Sequence, residues 1–265
     1  MIHTLLRSTI LATSLVLAGG ALMTPAFAEV VYNRGSAAEP ETVDPHKTST
    51  VYEAHVLRDL FEGLVMQDSK AGLIPGAAES WTISDDGKTY TFKLRADAVW
   101  SDGSPVTAED FVYSFRRLED PATGAEYASM LYPITNAEEV NTGKAKPEDI
   151  GVKAVDEHTL EISLKAPTPY FLEMLTHQAA YPVNKASIDK DGADWIKPGK
   201  LVSNGAFILT EWVPNDHLKM VKNPKFHDAA NVKIDVINFI PTEDRSSAMK
   251  RYEAGELDSY DDLPT

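Results

Sequence analysis

The stretch from Ala77 to Arg117, AAESWTISDDGKTYTFKLRADAVWSDGSPVTAEDFVYSFRR, restricts the fold of this chain more than any other. Asp85-Asp86-Gly87-Lys88 is a turn signal, because glycine enters the left-handed region at no steric cost. Thr89 to Arg95 then alternates polar and apolar residues, so Tyr90, Phe92 and Leu94 share one face of a half-buried strand. A second turn, Ser101-Asp102-Gly103-Ser104-Pro105, follows Trp100. Thr107 is then placed to cap a helix, with Asp110 at the third position reaching back. Phe111, Ser114 and Phe115 recur at helical spacing, and Arg116-Arg117 lie near the C-terminal end, where cations suit the helix dipole. The segment predicts a hairpin packed on a helix, with Trp81, Phe92, Trp100 and Phe111 in the core.

The same rules extend along the chain. Glu29 to Asn33 reads as a strand and Gly35 to Pro40 as a loop; Asp44-Pro45-His46 reads as a capping turn, since proline disfavours helix in the residue before it. A helix is expected from Val51 to Glu62 on an apolar stripe of Ala54, Leu57, Leu60 and Phe61. Further helices are expected from Asp120-Pro121 through Leu131, over Asn136 to Gly143, from Thr168 to His177, and from Asn184 to Lys190. A second hairpin runs through Gly151–Val155 and Thr159–Leu164. Strands follow over 205–209, 218–222 and 233–240, then a helix from Thr242 to Ala254, capped by Thr242, and a last strand after Gly255-Glu256-Leu257-Asp258.

With 265 residues, 43% of them hydrophobic, the chain can bury a sizeable core. Its net charge of −15 argues against nucleic acid or an anionic membrane surface as a partner. The first 28 residues read as a secretion signal. Arg7 precedes an apolar run from Ile10 to Met23, shorter than the ~20 residues of a membrane span, and Ala26-Phe27-Ala28 has the small-x-small form of a cleavage site. Cleavage is expected after Ala28, giving a periplasmic protein. The chain has no cysteine, which excludes disulfides, thiolate metal sites and a lipid anchor on cysteine.

Catalytic patterns are missing from the sequence. None of the seven histidines forms an H-E-x-x-H arrangement, there is no G-x-S-x-G elbow around Ser36, Ser80 or Ser203, and no phosphate-cradling loop occurs. His55, His158, His217 and His227 read as surface or hairpin residues. Adjacent acids such as Asp261 and Asp262 point to opposite faces of a strand and do not form a catalytic pair. The residues point to a non-enzymatic protein without cofactor or metal; a secreted peptide hydrolase is the alternative from a different class.

The order ESW, hairpin, FKLR, then W-S-D-G-x-P-V-T-A-E-D-F-V-Y-S resembles, over about forty positions, the hallmark segment of the extracellular solute-binding family 5 of ABC importers. Asp44-Pro45-His46, Arg58 to Leu64 (RDLFEGL), Lys200 to Trp212 (KLVSNGAFILTEW) and Arg251 to Asp258 (RYEAGELD) extend the likeness, and oligopeptide-binding members are the most similar. The resemblance implies an α/β fold: a class II periplasmic binding protein lobe with a mixed sheet, formed by 29–61 and 185–265, and a smaller α+β hairpin-and-helix subdomain inserted at 62–184. It also implies a second, ligand-closing lobe beyond this sequence, so the chain reads as the N-terminal part of a longer protein.

In such proteins a peptide lies between two lobes. Its main chain pairs as an added strand would, and its side chains enter hydrated pockets. Carried over by position, Ser49, Thr50 and Val51 would offer backbone contacts. Arg58 would meet a carboxylate or the other lobe, and Tyr127 and His177 would line the first-lobe pocket. Asp261 and Asp262 fall where the family presents polar groups to the ligand main chain, here in a segment one residue shorter and acidic. The implied partners are a peptide and an inner-membrane ABC permease, with the receptor a monomer; other family members take dipeptides, nickel complexes, haem or sugars. The intact mass of the native protein from a periplasmic extract tests the two-lobe expectation. It should lie far above that of residues 29–265; a mass equal to that segment would identify a one-lobe product.

Overall fold

The computed structural model describes residues 28–262; the signal expectation falls on residues 1–27, outside them. The chain opens with β1 (Val31–Ser36), a loop, and α1 (Val51–Leu60). A short ribbon, β2 (Val65–Gln67) with β3 (Leu73–Pro75), leads into the hairpin of β4 (Ala78–Ile83) and β5 (Thr89–Leu94), and then α2 (Ala108–Glu119). The short helix α3 (Ala137–Asn141) precedes a second hairpin, β6 (Val152–Asp156) and β7 (Thr159–Ser163). After α4 (Phe171–Met174) and α5 (Lys185–Asp191) come β8 (Phe207–Val213), β9 (His217–Lys222), β10 (Val236–Pro241), α6 (Arg245–Glu253) and β11 (Ser259–Tyr260).

Two larger sheets result. One has the order β11-β1-β10-β9-β8, with β1 parallel to both β10 and β11 and the β8–β9–β10 pairings antiparallel, so it is mixed. The other, β4-β5-β7-β6, is wholly antiparallel. Each has its own core. Leu57, Leu60 and Phe61 pack with Leu209, Met220 and Phe239 over the mixed sheet. Phe92, Trp100, Phe111 and Phe115 fill the core between α2 and the antiparallel sheet. Tyr90, Phe92 and Leu94 are all buried on one face of β5, and Gly87 turns the hairpin at φ +68°. Trp81 is only partly buried, against the rim of that core. At the start of α2, the Thr107 N–H donates to Asp110 Oδ2 at 2.8 Å, closing the capping box that the spacing predicts.

Several elements depart from sequence expectation. β1 runs on through Gly35 and Ser36, where Ile240 and Pro241 of β10 pair with it. The segment 121–131 is two 3-10 turns, Pro121–Thr123 and Ala128–Leu131, because Gly124 takes φ +64° between them. The helix expected to reach His177 ends at Met174. α6 is capped by Asp244, which accepts the Ser247 N–H at 2.7 Å, rather than by Thr242. Gly192–Ile196, for which no helix is expected, makes a 3-10 turn.

α1 stops at Leu60 because the chain there enters a different set of bonds. Asn204 accepts the Glu62 N–H at 3.0 Å and donates to the Glu62 carbonyl at 2.8 Å, as a strand partner would. The Gly205 N–H reaches Leu60 O at 2.9 Å, and a Cβ on Gly205 would lie 2.5 Å from the Leu60 carbonyl carbon, so only glycine fits. Next to it, the Ser101 N–H donates to Ser203 O at 2.8 Å. His227, read as a surface residue, instead meets the Glu62 carboxylate at 2.9 Å with both side chains largely buried. Burial raises the Glu62 pKa, and the His227 hydrogen bond opposes that rise.

The last residue of α2, Glu119, is fully buried and neither carboxylate oxygen has a hydrogen-bond partner among the described residues. Burial, only partly offset by Lys165, pushes its pKa up to about 8. The folded state therefore holds a proton that the unfolded chain releases near the ordinary carboxylate pKa, and stability is lost as pH rises from there through about 8. Glu119→Gln should match the wild type in thermal unfolding at pH 5 and exceed it at pH 8. Equal melting temperatures at both pH values would overturn this.

Candidate ligand-binding site

The entry to α1 is shaped by one buried carboxylate. Glu53 Oε2 accepts the N–H groups of Ser49 at 2.9 Å and Thr50 at 3.0 Å and the Thr50 hydroxyl at 2.8 Å, while Oε1 accepts the Glu41 N–H at 3.1 Å. With Thr50 as N-cap this is a complete capping box, and the spacing T-x-x-E was its sequence signal. The amides of Ser49 and Thr50 are thereby committed inside the protein. The Ser49 and Thr50 carbonyls are taken as well, by the Tyr127 hydroxyl at 3.2 Å and the Ala54 N–H at 3.1 Å, so what the loop presents outward is the exposed Ser49 and Val51, which is 71% exposed. The N–H groups of Val51 and Tyr52, in the first helical turn, have no intrahelical acceptor by geometry.

Tyr127 and His177 come together beside this loop. Their ring centroids are 4.8 Å apart in an edge-on arrangement, and the Tyr127 hydroxyl donates to Ser49 O at 3.2 Å. His177 Nδ1 accepts the Ala179 N–H at 3.2 Å, which leaves the ring proton on Nε2. Burial, and then the charge of Arg58, lowers the His177 pKa, favouring the neutral ring. Arg58 is exposed on α1 and acts electrostatically on His55 and Asp59 as well.

Asp261 and Asp262 take different partners. Asp261 Oδ2 accepts from Arg34 Nη2 at 2.6 Å and lies 3.4 Å from His55 Nδ1, whereas Asp262 accepts from Arg245 Nε at 2.8 Å. Both border a cavity of about 230 Å³ formed with Arg34, Val51, Tyr52 and His55. Burial pushes Asp59, on the same helix, up to about 7, with Arg34 and Arg58 opposing the rise. The eight residues picked from the sequence thus form two groups. Ser49, Thr50, Tyr127 and His177 are gathered at the loop; Val51, Asp261 and Asp262 line the cavity; Arg58 stands within electrostatic reach of both.

Sequence reasoning missed the polar centre beneath the loop. Arg117 donates from Nη1 to Asp44 Oδ1 at 3.0 Å and from Nη2 to Oδ2 at 2.6 Å, and the same Nη1 lies 2.7 Å from His46 Nδ1. Asp44 and His46 are both buried, and the guanidinium lies 5.8 Å from the centre of the Trp195 ring. The capping turn expected at Asp44 is present, with His46 N–H on Asp44 Oδ1 at 3.1 Å, but it also carries this ion pair. Burial opposes ionisation of Asp44, yet the Arg117 hydrogen bonds and the neighbouring positive charge outweigh it and lower its pKa. Burial and Arg117 hold His46 at about 4, so its ring is neutral: Nδ1 accepts from Arg117 and Nε2–H points to Tyr181 O at 3.4 Å.

The family model of the bacterial extracellular solute-binding proteins, family 5 Middle, matches residues 72–265. The periplasmic oligopeptide-binding protein OppA of Salmonella typhimurium is 42% identical over 234 residues, covering 87% of this chain and 43% of that protein. The periplasmic murein peptide-binding protein MppA of Escherichia coli is 44% identical over 228 residues, covering 85% and 42%. Haemophilus influenzae OppA, solved in complex with RPPGFSPFR, superposes with a TM-score of 0.88 at 41% identity, over 90% of this chain and 47% of that one. The chain therefore spans less than half the length of these relatives, and its mixed α/β architecture is that of the corresponding part of the periplasmic binding proteins. On the family match and these identities, the chain belongs to the bacterial extracellular solute-binding proteins of family 5.

Proposed function

We propose that this chain forms the first lobe of a periplasmic receptor that binds peptides and delivers them to an inner-membrane ABC permease, without itself catalysing a reaction. The observation that carries this reading is the segment Ser49–Val51: its conformation is fixed by Glu53, and it presents the first-turn N–H groups of α1 and an exposed Val51 beside the Tyr127–His177 pair. A main chain laid along such an edge finds hydrogen-bonding groups already oriented, which lowers the ordering cost of binding. The likeness to OppA and to MppA supports peptide as the ligand class. In this reading Tyr127 and His177 contact the ligand, and Arg58, Asp261 and Asp262 face it or the closing lobe.

We further infer the division of the chain. Residues 29–61 and 185–265 make the lobe, and 62–184 are the inserted subdomain; the two separate sheets and cores support this. The protein acts as an exported monomer, cleaved after Ala28, and holds no cofactor. A lobe without its counterpart leaves ligand exposed to water and forfeits closure. In calorimetric titration with the nonapeptide RPPGFSPFR, residues 29–265 alone should bind weakly or undetectably, and the protein supplied with its second lobe should bind at micromolar or tighter affinity. Micromolar binding by 29–265 alone would overturn the two-lobe requirement, and no binding by the two-lobed protein would overturn the peptide reading.

A further inference from the structure

The loop that carries Ser49–Val51 is held at two places: its start by Glu39, which accepts from Trp212 Nε1 at 2.7 Å and the Asn215 N–H at 2.8 Å, and its end by a separate set of bonds around residues 44–50. Within the loop, the Lys47 N–H bonds Asp44 O at 2.9 Å and the Thr48 hydroxyl bonds Pro45 O at 3.3 Å. Among the described residues, the polar attachments of residues 44–50 beyond the loop and α1 run to four residues: Arg117 on Asp44 and His46, Glu126 N–H on His46 O at 3.3 Å, the Tyr127 hydroxyl on Ser49 O at 3.2 Å, and Tyr181 O on His46 Nε2 at 3.4 Å. Three of these, Arg117, Glu126 and Tyr127, lie on α2 or just after it, in the segment that packs on the antiparallel sheet.

From this arrangement we infer that Arg117 is a positioning residue for ligand binding: reaching over from α2, it sets the conformation in which the loop offers Ser49–Val51. The inference rests on the peptide-binding reading above and gives the subdomain a part in it. Arg117 does not line the 230 Å³ cavity, so its effect passes through Asp44 and His46. The chemistry selects arginine. Two parallel N–H donors hold both Asp44 oxygens, the edge of the same nitrogen serves a neutral His46, and the flat cation stacks toward Trp195. Lysine has the charge and three donors, but all on one nitrogen, and cannot hold both Asp44 oxygens in parallel while reaching His46. The loop would then keep its covalent path while losing the contact that fixes residues 44–46, and local opening would become frequent without global unfolding.

The test uses the two-lobed protein and two variants. Arg117→Lys keeps the charge; Asp44→Asn with Arg117→Gln removes both charges, so that no unpaired ion is buried and the fold is retained. Amide hydrogen exchange is followed over residues 44–52, with β5 and β10 as internal references, and RPPGFSPFR is titrated calorimetrically. Both variants should exchange roughly tenfold faster across 44–52 with β5 and β10 unchanged, and their peptide Kd should rise by about tenfold. Loop exchange within twofold of wild type, or faster exchange with an unaltered Kd, would overturn the inference. Failure of the wild type itself to bind the peptide would count against the peptide reading, and is seen in the wild-type titration alone.

Discussion

The Arg117–Asp44 pair is the contact on which the arrangement of this chain turns. It joins α2, whose other face fills the antiparallel core, to the loop that precedes α1 on the mixed sheet. Removing both charges from water is costly, and such a pair is sustained only when every lone pair and proton finds a partner. Here both carboxylate oxygens are forked by the guanidinium, and His46 Nδ1 accepts the remaining Nη1 proton while its Nε2–H donates to the Tyr181 carbonyl. Losing one member would strand the other as a buried charge, at a cost on the order of 3–5 kcal/mol. The pair thus couples the seating of the loop to the folding of a segment distant in sequence.

The surroundings of α1 share an electrostatic logic. In a chain of net charge −15, Arg34 and Arg58 gather about this helix with Asp59, Asp261 and two histidines. Burial shifts His55 and His177 toward the neutral form and brings Asp59 to about 7. Since the net charge already counts histidine as neutral, Asp59 is the group here that makes the neighbourhood less negative than the composition implies.

Much of the fold was legible because local patterns set it. Alternation at Tyr90, Phe92 and Leu94 fixed a strand and its buried face, and the Thr107–Asp110 spacing fixed the start of α2. The errors lie where distant partners decide. β1 gains Gly35 and Ser36 only because β10 lies parallel to it, and a single left-handed glycine, Gly124, splits what reads as one helix. At the site, family resemblance drew attention to Ser49, Tyr127 and His177, which the structure does gather. It gave no hint of Arg117. An arginine in the last turn of a helix reads as a solvated complement to the dipole, and its acceptor lies 73 residues earlier in the chain. His227 was misread for the same reason, since Glu62 is 165 residues away.

The grip of Asn204 on Glu62 has a mechanical meaning. A covalent crossing between two sheets is by itself a swivel, free to twist about its backbone dihedrals, and this chain makes two of them, one at Leu60–Glu62 and one near residue 184. Here the crossing at Leu60–Glu62 is held on both amide faces by Asn204, abutted by Gly205 without space for a methyl group, and braced through Ser203 and Ser101. A strand held in this way resists rotation about its backbone dihedrals. The crossing into the subdomain is a clamp and not a swivel.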